Sequence, residues 1–135
     1  MKAVFDCNIF VSALAIPGGQ AERALNLAID GHVKICISKA IILEVLGVLS
    51  DKFSRGPEEL SRTAVFLSEL AELIAPRIKL AVLKDEPDNG ILECAVAGAA
   101  DFIVTGDKAM LALEEYSGIR VLSLREFLDE VAAPR

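Results

Sequence analysis

Four carboxylates stand out in this chain by what precedes each of them: Asp6, Glu44, Asp88 and Asp107. Asp6 follows the apolar run from Met1 to Phe5, with Asn8 two places on and Ile9 to Leu14 apolar again. Asp107 follows "FIVT" (102–105), in "TGD" beside Thr105. Asp88 lies with Asp85, Glu86 and Asn89 in "KDEPDNG", a turn marked by Pro and Gly. Glu44 lies roughly two turns inside "SKAIILEVLGVLSDKF", and its neighbours at helical spacing, Ala40, Ile41, Gly47 and Val48, take it off the solvated face.

Each acid also has a plainer role. Asp6 and Asn8 suit the cap of the following helix, Asp88 the cap of a helix from Gly90, and Asp107 the cap of one from Lys108. Glu44 could snorkel or pair with a lysine. Capping does not explain why all four arrive at one rim. In open parallel sheets the ligand crevice lies outside the carboxyl ends of the strands, and these acids follow strands or open the helices after them. Clustered carboxylates repel unless they are protonated or bridged by a cation. Hard divalent ions take oxygen ligands and keep several waters, so the pattern points to a Mg²⁺ or Mn²⁺ site.

The elements that must position these acids alternate. "KAVF" (2–5), "VKICI" (33–37), "IKLAVL" (78–83), "FIVT" (102–105) and "IRVLS" (119–123) read as strands. Helical patterns cover 21–30, closed by Gly31, and 38–53, with Ser38 as N-cap. A third covers 57–75, from Pro57 to the stop at Pro76, and others cover 91–100 and 108–116. The last, 123–131, opens on a capping box of Ser123 and Glu126. Strands alternating with helices imply a parallel sheet covered on both faces, and one domain over 1–135.

The 135 residues are 53% hydrophobic, so part of the apolar surface is expected to end in a subunit or partner interface. A net charge of −6 excludes a broadly basic nucleic-acid binder, but not an enzyme whose bound cations supply the positive field. Cys7, Cys36 and Cys94 are odd in number and form no CxxC pair, which argues against a disulfide framework or a structural zinc. The single histidine, His32, reads as a solvated turn residue. With no leader pattern and no membrane-length apolar run, a reduced, cytoplasmic protein without membrane association is expected.

"AVFDCNIFVSAL", the helical Glu after "ISKAIILEVL", "PDNGILECAVAGAADFIVTGDKAML" and "GIRVLSLREFL" together resemble a PIN-domain ribonuclease. The branch most alike is the VapC-like toxin component of toxin–antitoxin pairs. The likeness runs from Lys2 to about Leu128 and is most specific from Asp88 to Leu111. It implies a PIN-like three-layer α/β/α sandwich with a central parallel sheet of about five strands. It also implies a Mg²⁺- or Mn²⁺-dependent endoribonuclease whose catalytic, metal-binding acids are Asp6, Glu44, Asp88 and Asp107. Asn8 and Thr105 match polar positions beside them. Relatives often pair two aspartates before the Asn, which leaves Asp85 or Glu86 as the additional carboxylate.

Lys39, Lys84 and Lys108 flank the acidic elements and are candidates to hold RNA phosphates, or are ordinary surface lysines. Expected partners are an RNA substrate, a cognate antitoxin and a second copy in a homodimer, buried through the 21–30 or 57–75 helix faces. Absence of a catalytic His fits water activation by a bound cation. Two alternatives come from other classes. A receiver or phosphotransfer domain would need adjacent acids after the first strand and a Lys ending the last; Cys7 and "IRVLSL" do not supply them. A non-catalytic PIN-fold binding protein would bind metal without turnover.

Overall fold

Strand β1 (Lys2–Phe5) is the centre of the molecule, with Ala3, Val4 and Phe5 wholly buried. In the computed structural model, which describes residues 1–132, it is followed by α1 (Cys7–Ala15), α2 (Gln20–Ile29), β2 (Lys34–Ser38), α3 (Lys39–Phe53) and α4 (Pro57–Leu70). Then come β3 (Glu72–Ile74), α5 (Glu86–Ala97), β4 (Phe102–Val104), α6 (Lys108–Leu111), β5 (Glu115–Tyr116), β6 (Ile119–Leu122) and α7 (Leu124–Ala132). The last three residues of the expected single domain lie outside the described residues.

The six strands are ordered β3-β2-β1-β4-β6-β5, parallel except for the antiparallel β5–β6 hairpin. The expected α/β sandwich is present, with one short antiparallel strand added at the edge. Helices flank the sheet: α1, α2 and α7 pack together, while α5 lies against β1, β2 and β4. Phe5 meets Phe10 and Phe127 at 5.5 Å each, the second edge-on, and so ties β1 to α1 and α7.

Most element boundaries agree with the periodicity, and the caps explain where. Ser38 accepts from the Ile41 N–H at 3.2 Å and starts α3. Ser123 and Glu126 form the reciprocal capping box, at 2.9 and 3.1 Å. Two segments differ. The 57–75 helix stops at Leu70, because Glu72–Ile74 leave it to pair with the free edge of β2, and Lys2 ion-pairs with Glu72 there at 3.2 Å. The strand expected at 78–83 therefore has no edge to join, and residues 75–85 form neither helix nor strand. The helix expected over 108–116 likewise ends at Leu111, and its last residues become β5. In both places a sheet edge with unpaired backbone groups outcompetes helical propensity.

Register places the site. Phe5 is level with Val104, and Val104 with Leu122. The ladder continues one residue further, Asp6 N–H donating to Val104 O at 2.9 Å and Thr105 N–H to Leu122 O at 3.0 Å. Asp6 and Thr105 thus stand side by side at the carboxyl edge.

At the opposite end of α5, Gly98 lets the helix close on β2 and β3. A Cβ there would lie 3.0 Å from Cys36 Sγ, 3.1 Å from the Cys94 carbonyl oxygen and 3.2 Å from Ile74 Cγ1. Gly98→Ala is expected to destabilise the fold by about 1–3 kcal/mol in urea titration, since the backbone carbonyl has no room to give.

Candidate active site

Asp6 occupies the N-cap position of α1, yet its side chain caps nothing. Its Oδ2 instead accepts from Thr105 Oγ1 at 2.7 Å, and only 8% of the residue is exposed. Thr105, wholly buried, accepts in turn from the Asp107 N–H at 3.0 Å. One hydroxyl therefore fixes the first acid and the backbone of the last. Asp107 does cap its helix, its Oδ2 accepting from the Met110 N–H at 2.9 Å, so its plain role and its site role coexist.

Asp85, not Asp88, holds the N-cap position of α5, which begins a turn earlier than the sequence suggested. Pro87 tolerates the first turn because a helix start has N–H groups without partners. Asp88 then sits inside that turn, half-buried, and its carboxyl is pushed up to about 6. Loss of water is the main cause, followed by the charges of Asp107, Asp85, Asp6 and Glu44. Burial likewise raises the Asp6 carboxyl, opposed by the Thr105 bond and the Cys7 backbone N–H and aided by Asp107 and Asp85. Glu44 is exposed as a residue, but its carboxyl is also raised, first by desolvation and then by Asp6 and Asp85.

The four expected acids thus share one electrostatic field. Asp85 belongs to that field, acting on Asp6, Glu44 and Asp88, whereas Glu86 is turned to Lys79 at 3.7 Å. Asn8 is exposed on the first turn of α1. Lys39, Lys84 and Lys108 are exposed, and none of them forms an ion pair among the described residues. Gly106, in the turn after β4, has open space where a Cβ would go, so no close approach requires glycine there.

The acids share a field without forming a cage. Among the described residues, no group of three or more His, Cys, Asp or Glu side chains stands within metal-holding distance. The acids fit a hard divalent ion, being oxygen donors throughout with neither His nor Cys among them.

Beside the acids, Glu44 of α3 and the 79–84 segment line a cleft of about 780 Å³. Two residues of α5 shape it through roles the sequence does not announce. Asn89, buried, accepts from the Val82 and Leu83 N–H groups at 3.1 and 2.8 Å, and donates to the Leu83 carbonyl at 2.8 Å. Glu93 accepts from the Leu80 N–H at 2.8 Å. The only sequence signal for them is their spacing of four on α5, one helical turn apart.

Residues 2–109 match the PIN domain. The chain belongs to the PIN-domain family. An uncharacterized protein of Methanocaldococcus jannaschii is 26% identical over 142 aligned residues, spanning 96% of this chain and 91% of its own. Among solved structures, a chain of VapBC2 from Rickettsia felis, bound to a DNA fragment from their promoter, superposes with a TM-score of 0.64 at 18% identity, covering 91% of this chain and 98% of that one. A chain of VapBC-1 from nontypeable Haemophilus influenzae gives 0.63 at 15% identity, covering 93% and 99%. At these identities the two structures share the PIN fold with this chain.

Asp88 makes this PIN domain's stability depend on pH. Its folded pKa of about 6 exceeds the ordinary 3.8, so the folded state holds the proton more tightly. The resulting stability is present below the unfolded value and is lost as pH rises through the folded one. Without divalent ions, Asp88→Asn should therefore raise the melting temperature more at about pH 7 than at about pH 4. Equal shifts at both would mean that Asp88 feels no crowded field.

Proposed function

We propose that this PIN domain is a Mg²⁺- or Mn²⁺-dependent endoribonuclease, the toxin of a toxin–antitoxin pair, hydrolysing phosphodiester bonds of RNA. The observation that carries this reading is the Thr105 hydroxyl. It binds Asp6 at 2.7 Å and the Asp107 backbone at 3.0 Å, at the edge where Glu44, Asp85 and Asp88 contribute their fields. A structural cap has no need of that convergence. Family membership supports a nuclease, and the VapBC neighbours support an antitoxin partner.

Asp6, Glu44, Asp88 and Asp107 would hold the ion, with Asp85 as the additional acid in place of Glu86. When bound, a divalent ion activates water and stabilises the charge that develops on a phosphoryl group. The chain's own residues do the rest. Thr105 holds Asp6 in one orientation, so that carboxylate needs no reordering when substrate arrives. Lys39, Lys84 and Lys108, exposed and flanking the acidic elements in sequence, would take RNA phosphates, giving affinity without sequence preference. In an acidic chain they supply positive charge where the substrate must enter.

The homodimer belongs to the same reading. On α2, Ala21, Ala24, Leu25 and Ala28 are buried within the chain, while Ile29 is 49% exposed. On α4, Val65 is 55% exposed, so the 21–30 and 57–75 segments each leave apolar surface for a second copy.

Asp6→Asn and Asp107→Asn test the site. Each removes one charge with little change of shape, and each should abolish cleavage of labelled RNA in Mg²⁺ or Mn²⁺. Mn²⁺ should raise the melting temperature of the wild type more than that of either variant. Cleavage by the variants at the wild-type rate would refute the assignment. Equal Mn²⁺ stabilisation without turnover in any of the three would favour the non-catalytic binding protein.

A further inference from the structure

Residues 75–85 carry no regular structure: Leu80 and Leu83 pack part of their side chains against the core, while Ile78 is 67% exposed and Val82 40%. Two half-buried leucines leave much of the backbone's path to polar contacts. Here these are the bonds that Asn89 and Glu93 make to the backbone of Leu80, Val82 and Leu83. Asn89 grips the Leu83 N–H and carbonyl together, which sets the direction in which the chain leaves toward Lys84 and Asp85. Glu93 grips the other end, next to Lys79. The pinned strap is one wall of the cleft, contributing Lys79, Leu80 and Lys84 opposite Ala40, Ile41 and Glu44.

We infer that Glu93 and Asn89 are positioning residues, pinning the 79–84 strap so that Lys79 and Lys84 meet the RNA backbone as it enters the cleft. The inference rests on the nuclease reading and extends it to residues that touch neither the acids' cation nor the scissile bond. Lys79 is free to serve. Its contact with Glu86 spans 3.7 Å between side chains that are 87% and 88% exposed, an arrangement worth little in water. The acid at position 93 would otherwise repel a phosphate backbone. Its value lies in accepting the Leu80 N–H, which a neutral amide oxygen does equally well.

The test compares Glu93→Ala, Glu93→Gln and Lys79→Ala with the wild type in RNA cleavage, Mn²⁺ binding and amide hydrogen exchange. Glu93→Ala should speed exchange at Leu80 and raise KM about fivefold to tenfold, the effect of one hydrogen bond of ordinary strength, while kcat changes less than about twofold. Mn²⁺ affinity should stay the same. Glu93→Gln should restore both exchange and KM. Lys79→Ala, a surface change that leaves folding alone, should raise KM by itself, and adding Glu93→Ala to it should add little. Unchanged KM in Lys79→Ala, or a loss in Glu93→Ala that falls on kcat or on Mn²⁺ affinity, would overturn the inference. Absence of RNA cleavage by the wild type would instead refute the nuclease reading.

Discussion

The Thr105 hydroxyl is the contact on which the edge of this molecule depends. It is wholly buried, gives its proton to Asp6 and accepts one from the backbone of Asp107. A carboxylate as buried as Asp6 requires a donor, and a hydrogen bond to a charged group contributes about 1.5–3 kcal/mol. The two central strands β1 and β4 end level with each other, and this bond crosses between the residues just beyond them. The order of the sheet and the order of the acids are thus one constraint.

Around that bond the design is one of tolerated repulsion. Asp6, Glu44 and Asp88 all have their proton affinity raised, and in each case burial leads and neighbouring acids follow. A fold that only needed stability would not gather charges this way, because each one weakens the others' hold on the ionised form. Stability comes from elsewhere, from the Phe5–Phe10–Phe127 cluster and the aliphatic layers on either side of β1. The strap between β3 and α5 is anchored on the core by Leu80 and Leu83 and held by two side chains of the helix that also carries Asp88.

Much of this was legible from residue order. Apolar runs gave β1, β2, β4 and β6. Ser38, the Ser123–Glu126 pair and Gly31 gave helix ends, since capping depends on neighbours a few residues away. Asp6, Thr105 and Asp107 could be placed at one rim because parallel strands deliver their following residues to the same edge. The segment from Leu70 to Leu83 was misread because its fate depends on distant partners. Glu72–Ile74 became a strand by pairing with β2, and 78–83, left without an edge to join, became a strap with three of its N–H groups held by Glu93 and Asn89.

Sequence by itself determined the class of the fold, through local pattern and spacing, and its likeness to PIN domains pointed to the family that residues 2–109 match. Tertiary structure decided which plain roles fell away. Asp6 abandoned its cap for Thr105, whereas Asp107 kept its own. It brought Asp85, and not Glu86, among the charges that raise the Asp6, Glu44 and Asp88 carboxyls. It also gave Asn89 and Glu93 work that no motif announces. The reason is physical: hydrogen bonds and charges act through space, and the distances that set their strength arise only when the sheet closes.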